Sequence, residues 1–279
     1  MDIEKVLEKV TEVLPPRRAV KLTVLNEKPG IFDSKIGGTP YFPKDMEYPR
    51  GKKNEFKDQP LSLLAQLNFD ELPHIPDFPT KGILQFFIAG DDLYGMATEC
   101  YGDALAAQDN FRIIYHENII RDESKLLSAN EIPKYSGDDD IYLPFEGEYK
   151  LEANEPEIIA ASAHDFRFKE FFVKYYNELA DEPIDSFYDL DEDIYNMLHE
   201  NESFATVIGG YPAFTQEDPR SSDSLGDCDT LLFEINSEYN KEKGIDIMWG
   251  DMGTGTFMIP LENLRALDFS RVVYNYDCY

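Results

Sequence analysis

Hydrophobic residues near the start of the chain recur at helical spacing. Ile3, Val6 and Val10 follow one another at intervals of three and four residues, behind an aspartate that can cap the first turn. The pair Pro15 and Pro16 ends this pattern, because proline has no backbone N–H for a helical hydrogen bond. The pattern predicts an amphipathic helix over residues 3–14.

Further along the chain, short segments show the alternation or the brief apolar run that is typical of β-strands. These segments are residues 20–24, 61–69, 83–88 and 112–116. Glycine-rich and proline-rich connections separate them, and no regular series of helices alternates with them. The pattern therefore predicts an α+β fold with mainly antiparallel strands.

Two apolar stripes at helical spacing follow in the middle of the chain, over residues 168–179 and 187–198. Ser162 and Asp165 are spaced as a capping box ahead of the first stripe, and Ser186 and Asp189 are spaced in the same way at the second. Both stripes are expected to be helices. The preceding segment, 117–160, is rich in acidic residues and prolines, and we expect an irregular connection there.

Four short segments recur in the second half of the chain in the same order as in the first. Ile-Gly-Gly-Thr-Pro-Tyr-Phe begins at Ile36, and Ile-Gly-Gly-Tyr-Pro-Ala-Phe begins at Ile208. The other matching segments are 63–68 with 231–236, 82–83 with 244–245, and 112–115 with 271–274. Ordered matches of this kind predict an internal duplication, in which two similar halves of mainly antiparallel strands pack together with flanking helices.

The repeats divide a single predicted domain, residues 1–279, into three parts. The first repeat covers about 15–120, an acidic connection with helices covers about 121–205, and the second repeat covers about 206–279. A chain of this length can bury a full hydrophobic core.

The charge of the chain is strongly negative, with 55 acidic against 26 basic residues and a formal charge of −29. Such a field repels nucleic acid and anionic membranes and favours a basic protein as partner. A solvated surface without a partner would carry the same charge. A charged N-terminal segment, three cysteines without metal-binding spacing and no apolar run long enough to span a bilayer predict a cytoplasmic protein.

Eight residues at matching or recurring positions are candidates for a ligand site at the seam between the repeats. They are Gly37, Gly38, Gln66, Arg112, Gly209, Gly210, Glu234 and Arg271. Paired glycines let a backbone approach a ligand closely, and matched polar residues on one strand face could line a shared cleft. Each also has a structural interpretation: a turn, the polar outer face of a sheet, or an arginine paired with a carboxylate across the repeat interface.

The remaining candidates for chemistry are weaker. The four histidines fit no zinc-protease or triad spacing, and Cys100, Cys228 and Cys278 lie beside carboxylates that oppose thiolate formation. The aspartates at 91, 92 and 251 could hold a divalent cation, although aspartate is common in turns. The sequence identifies no catalytic residue, and we predict no cofactor and no metal site.

Several motifs resemble the bacterial YwqG family, from about residue 15 to residue 279. They are Ile36–Pro43, Pro60–Asn68, Gly82–Ile88, Asp91–Gly95, Gly209–Phe214, Ile247–Asp251 and Tyr276–Tyr279. The resemblance implies an α+β protein with a duplicated half and a domain of unknown function. It implies no reaction and no site residues.

Two functional hypotheses follow. The first is a non-enzymatic acidic binding or protein-interaction module, such as an immunity-type protein that neutralises a basic toxin, because the chain combines high negative charge with no catalytic constellation. The alternative is a small-ligand-binding protein or hydrolase with its site at the seam between the repeats. The sequence indicates no oligomeric state.

Overall fold

The computed structural model describes residues 2–99, 101–137, 140–199 and 204–279. The helices in these ranges are α1 (Ile3–Val13), α2 (Phe166–Leu179), α3 (Glu192–His199) and α4 (Leu261–Arg265). The strands are β1 (Arg17–Leu25), β2 (Lys35–Gly37), β3 (Ser62–Asn68), β4 (Ile83–Ile88), β5 (Phe111–His116), β6 (Glu148–Ala153), β7 (Glu157–Ile159), β8 (Val207–Gly209), β9 (Thr230–Asn236), β10 (Glu238–Asn240), β11 (Ile245–Ile247), β12 (Thr254–Ile259) and β13 (Val273–Asp277).

One curled, half-barrel sheet contains most of these strands. Its order is β13-β12-β9-β8-β1-β6-β2-β3-β4-β5, with β7 also paired to β1 and all pairings antiparallel. The long strand β1 joins the two sides, because its first residues pair with β7 and β8 and its last residues pair with β6. β10 and β11 form a separate hairpin. The predicted α+β class is confirmed.

Aromatic side chains fill the space between the two sides of the sheet. The ring of Phe86 on β4 lies 4.7 Å from that of Phe257 on β12 and 5.0 Å from that of Phe233 on β9. Phe111 on β5 lies 5.2 Å from Tyr274 on β13. These residues belong to one continuous hydrophobic core. The seam between the two predicted repeats is therefore packed core rather than a cleft.

A second layer forms beside β8 and β9, where α1 and α2 pack against each other. Their buried apolar stripes include Val6 and Val10 on α1 and Phe168 and Phe172 on α2. Asp2 caps α1 by accepting a hydrogen bond from the backbone of the first turn, as its position predicts. Since these faces would expose apolar surface if separated, their burial holds α1 and α2 together.

Strand pairing follows the same pattern in both halves around two of the sequence matches. Gln66 on β3 pairs with Lys35 on β2, and Glu234 on β9 pairs with Val207 on β8. A register shift interrupts each of β3 and β9 two residues before these positions, where each pairs with the next strand of its half. Gln66 and Glu234 therefore occupy matching places in the sheet.

The other two sequence matches lie at different places. Gly82 precedes β4 of the large sheet, whereas Gly244 precedes β11 of the separate hairpin, and β12 is the strand in the place of β4. Arg112 lies within β5, whereas Arg271 lies two residues before β13 begins. These two matches do not mark equivalent positions, and the duplication remains a hypothesis.

The structure also corrects three local predictions. β6 and β7 lie within the segment predicted to be irregular. In β6 only Tyr149 and Leu151 are buried between charged residues, and in β7 no residue is buried. The predicted second helix is a short 3₁₀ turn followed by α3, although Ser186 and Asp189 do form the capping box. Asp165, rather than Ser162, is the N-cap of α2. In the described ranges, no helix is both long enough and apolar enough to cross a bilayer.

Candidate functional site

A cavity of about 420 Å³ lies between β8 and β9 on one side and the three helices α1, α2 and α3 on the other. Most of its walls are apolar, and they include Leu7, Phe168 and Val207. A predominantly apolar cavity with a few polar groups is the usual form of a small-molecule site. The chemistry of the cavity therefore depends on its polar side chains.

Glu234 is the most deeply buried of these polar groups, with 1% of its surface exposed. Its Oε2 accepts hydrogen bonds from the backbone N–H of Ala213, at 2.9 Å, and from Oγ1 of Thr256, at 3.3 Å. Its Oε1 accepts none from the residues that the structure describes. Burial raises the pKa of Glu234 to about 8, since the carboxylate loses its hydration in this environment.

The hydrogen bonds determine which oxygen carries the proton at neutral pH. Oε2 of Glu234 already receives two donors, so a proton there would face the N–H of Ala213 and the hydroxyl of Thr256. The proton is best placed on Oε1. Neutral Glu234 can therefore donate a hydrogen bond from Oε1 to a molecule in the apolar cavity.

The matching position in the other half has all of its hydrogen bonds satisfied by the chain itself. Oε1 of Gln66 accepts from the backbone N–H of Tyr41 and from Nε2 of Gln85, both at 2.9 Å. Nε2 of Gln66 donates to the carbonyl oxygens of Ile31 and Asp33, also at 2.9 Å. A buried amide with this many partners fixes a loop and has a structural role.

A buried histidine extends this network in the first half. Nε2 of His116 lies 2.9 Å from Oε1 of Gln85. Because a glutamine carbonyl oxygen only accepts, the histidine must donate from Nε2. Burial lowers the pKa of His116 to about 4, so the ring is neutral at physiological pH. The contacts of His116 are those of a core residue.

Two further polar groups at the cavity already have partners. Nζ of Lys21 on β1 lies 2.9 Å from Oε1 of Glu157, forming an ion pair. The hydroxyl of Tyr211 donates to the carbonyl of Pro15 at 2.9 Å. His164 also lines the cavity, ahead of α2. Among the carboxyl groups of the described residues, that of Glu234 alone lies on the lining of this cavity.

A buried ionic network, which the sequence analysis missed, holds the start of α2. The fully buried side chain of Arg220 donates from Nη2 to Oδ2 of Asp218, at 2.6 Å, and of Asp165, at 3.3 Å. Nε and Nη2 of Arg167 donate to Asp165 as well. Asp218 accepts from the backbone N–H of Phe166, the first residue of α2. Residues so far apart along the chain show no common pattern, so only the folded chain identifies the network.

The two glycine pairs lie at separate places. Gly37 and Gly38 lie at the end of β2 and pack against residues 145–148, whereas Gly209 and Gly210 lie at the end of β8 and pack against β1. All four have φ between 65° and 77°, which favours glycine. The structure does not bring these pairs together at one site, and each makes a tight turn at the end of a strand. Gly209 and Gly210 line a smaller pocket of about 220 Å³.

The two arginines differ in their contacts. Nε of Arg271 donates to Oδ2 of Asp227 at 2.6 Å, and its Nη1 lies 3.2 Å from Oδ1 of Asp103 in the first half. This residue fits the expected carboxylate pairing across the repeats. Arg112 does not, because its Nη2 donates to the carbonyl of Gln108 and its buried Nε has no partner among the described residues.

Among the described residues, the turn at Asp91 and the buried Cys228 have the contacts of structural groups. Oδ1 of Asp91 accepts from the backbone N–H of Leu93 and of Gly95, which closes its own turn. The described part of the chain contains no group of three or more histidine, cysteine, aspartate or glutamate residues that could hold a metal ion. Burial raises the pKa of Cys228 to about 12, and Cys100 lies outside the described residues.

Comparison with known families identifies a match over residues 34–278, to a family described as a domain of unknown function, DUF1963. No curated protein matches the chain. The match includes β2 to β13 and therefore the strands that carry Glu234 and its counterpart Gln66.

Proposed function

The chain belongs to the DUF1963 family, and from the geometry of its cavity we propose that it binds a small, largely apolar molecule between β8, β9 and the helices. One observation carries this proposal: a buried carboxyl, Glu234, presents an oxygen without a hydrogen bond from the described residues to an apolar cavity of about 420 Å³. A ligand that forms a hydrogen bond with this oxygen would fill the apolar cavity at the same time.

The site lies away from the seam between the repeats, where the sequence analysis expected it. Phe86 and Phe257 fill that seam, with their rings 4.7 Å apart. Of the eight candidate residues, Glu234 alone lines the larger cavity. We propose binding rather than hydrolysis, because Thr256, whose hydroxyl donates to Glu234 at 3.3 Å, is not part of the cavity lining and so is not placed to attack a bound molecule.

A cavity-filling substitution tests the proposal. Ala161 lines the cavity, and Ala161→Leu would place a larger apolar side chain inside it. We expect the wild-type protein to bind the neutral fluorescent probe N-phenyl-1-naphthylamine, with an emission increase, and Ala161→Leu to bind it at least about tenfold more weakly, since lost cavity volume removes apolar contact.

The matched control is Ala129→Leu, which makes the same change at an exposed turn that is not part of the cavity lining. It should bind the probe as the wild type does. Ala205→Leu provides a second filling variant if the first has a lowered melting temperature. Equal probe affinity in wild type, both filling variants and the control would contradict the proposed site.

The charge of the chain supports a second candidate, an acidic protein-interaction module that is cytoplasmic and takes a basic partner, for example in an immunity role. The formal charge of −29 is the supporting observation. Such an interface should release its partner as salt screens the field. A pulldown from lysate at low and high salt, followed by identification of the captured proteins, tests this candidate; capture of no basic protein would refute it.

We also infer that the chain is a YwqG-type member of its family and that its two halves arose by duplication. The motifs that resemble that group support the first inference. The matching registers of β3 and β9 support the second, as do the equivalent hydrogen bonds to Gln66 and Glu234 from Tyr41 and Ala213.

A further inference from the structure

The two matching positions, 66 and 234, use one oxygen in the same way. Oε1 of Gln66 accepts from the backbone N–H of Tyr41, and Oε2 of Glu234 accepts from that of Ala213, both at 2.9 Å. The two donors, Tyr41 and Ala213, each lie three residues after the Gly-Gly pair of their half, so the acceptor half of each side chain is held alike. The two sites differ in the other terminal atom of the side chain, which is Nε2 in Gln66 and Oε1 in Glu234.

In the first half, the remaining group of the side chain is a donor to carbonyl oxygens. Nε2 of Gln66 donates to the carbonyls of Ile31 and Asp33, each at 2.9 Å. In the second half, the group in that place is Oε1 of Glu234, which has no hydrogen bond from the described residues and lies at the cavity. A neutral carboxyl is also a donor at this oxygen, because Oε2 already receives two N–H or O–H groups.

We infer that the ligand of this cavity is a neutral, largely apolar molecule that presents a carbonyl oxygen to Oε1 of Glu234. The carbonyl would take the place that the chain's own carbonyls occupy beside Gln66. This inference rests on the proposed function, and it specifies the chemical class of the ligand.

Burial of Glu234 favours a neutral carbonyl ligand over an amine. A ligand ammonium group would need an ionised carboxylate beside it, and among the described residues Glu234 is the carboxyl on the cavity lining. Burial raises the pKa of Glu234 and opposes that ionisation. Lys21 also lines the cavity, but its charge is paired with Glu157 at 2.9 Å. A carbonyl needs no ionised group, since the neutral carboxyl donates to it directly.

A test must distinguish the titration of Glu234 from that of the other titratable groups near the cavity. His164 ahead of α2 and Tyr211 after β8 line the cavity, and Lys21 is paired with Glu157 on β7. Asp277 on β13 raises the pKa of Glu234 further by charge repulsion. Glu234→Gln keeps all of these groups, so a pH dependence that is lost in this variant belongs to Glu234.

The test compares three probes of matched chain length by ligand-observed NMR. They are 2-heptanone, the isosteric alkene 2-methyl-1-heptene, and heptylamine. We expect 2-heptanone to bind at least about fivefold more tightly than the alkene at pH 7, since the alkene has the same shape but accepts no hydrogen bond.

The pH dependence identifies the donor. In the wild type, 2-heptanone affinity should fall at least about tenfold between pH 7 and about pH 9.5, because the competent, protonated fraction of Glu234 falls as the pH rises through about 8. In Glu234→Gln the amide donates at every pH, as Gln66 does in the other half, so ketone binding should persist and become independent of pH.

The possible results separate this inference from the proposed function. If ketone and alkene bind equally and Ala161→Leu abolishes both, the cavity is a binding site, but the inference that its ligand presents a carbonyl is refuted. Preferential binding of heptylamine that strengthens as Glu234 ionises would also refute it. Binding of none of the three probes, or binding unaffected by Ala161→Leu, would refute both.

Discussion

The two matching positions of the sheet differ in one chemical group: Gln66 has an amide where Glu234 has a carboxyl. Gln66 places its NH₂ group on two carbonyls of the chain, and it fixes the loop before β2. Glu234 has the same acceptor contact but leaves its other oxygen facing a cavity. The neighbours of each residue therefore decide its role. Gln66 is structural, whereas Glu234 can form a further hydrogen bond.

The raised pKa of Glu234 predicts a pH-dependent stability. The pKa is about 8 in the folded protein and close to 4.5 when unfolded, so folding takes up a proton between these values. The stabilisation is complete below the unfolded pKa and is lost, at about 1.4 kcal/mol per pH unit, as the pH rises toward 8. Glu234→Gln keeps the neutral form at every pH.

We therefore expect Glu234→Gln to be more stable than the wild type near pH 8, on the order of 2–4 kcal/mol, with a much smaller difference near pH 5. Urea denaturation at several pH values measures this. The control is Glu152→Gln at an exposed position on β6, which should leave the pH profile unchanged. Parallel pH profiles for the wild type and Glu234→Gln would show that burial does not raise this pKa.

At the scale of elements, buried charge rather than helix propensity fixes the start of α2. Asp165 caps the helix and also accepts from Arg167 and Arg220, so one carboxylate joins the helix to the loop after β8. The paired arginines lower the pKa of this carboxyl despite its burial. The orientation of α2, and hence one wall of the cavity, depends on these contacts.

Replacing the central arginine should therefore be costly. Arg220→Met removes a fully buried cation and leaves Asp218 without its main partner, so we expect a loss of about 3–5 kcal/mol in the free energy of unfolding. Arg271→Met is the matched control. Its ion pairs are partly exposed, and surface pairs contribute only about 0–1 kcal/mol.

Urea denaturation of both variants gives the comparison. Similar losses in both would contradict the assignment of the network as the anchor of α2. Arg112 and Arg271 were both expected to pair with a carboxylate across the repeats. Arg271 forms such a pair at a partly exposed position, whereas Arg112 donates to the carbonyl of Gln108.

For the whole molecule, a shared aromatic core couples the two halves. Phe86 belongs to the first half and contacts Phe233 and Phe257 of the second. Trp249 is the only tryptophan of the chain and is buried in the second half. Its ring also packs against Tyr94 of the first half, with the ring centroids 5.4 Å apart, so its fluorescence reports on the second half and on its contact with the first.

Phe86→Ala should cost about 3–5 kcal/mol, because it leaves a cavity in a well-packed core. If the halves unfold as one unit, the variant should shift the Trp249 fluorescence transition and the far-UV circular dichroism transition equally. A Trp249 transition that stays at the wild-type denaturant concentration, while the dichroism transition shifts, would show that the halves unfold independently.

Periodicity in the sequence determined much of the secondary structure. The helix at Ile3–Val13 and the strands Ser62–Asn68 and Ile83–Ile88 follow from local apolar spacing, which a buried face requires wherever the segment lies. The match between positions 66 and 234 was also visible. β6 was missed, because only alternate residues of a charged segment are buried there.

The tertiary structure alone decided which of two matching positions is a candidate site. Both Gln66 and Glu234 are buried polar residues on the same kind of strand face. Carbonyls from residues 31 and 33 occupy the space beside Gln66, whereas three helices enclose a cavity beside Glu234. Those neighbours come from distant parts of the chain, and a local pattern contains no information about the space that they leave. The sequence therefore identified the pair of positions, and long-range packing determined that Glu234 is the one whose side chain faces a cavity.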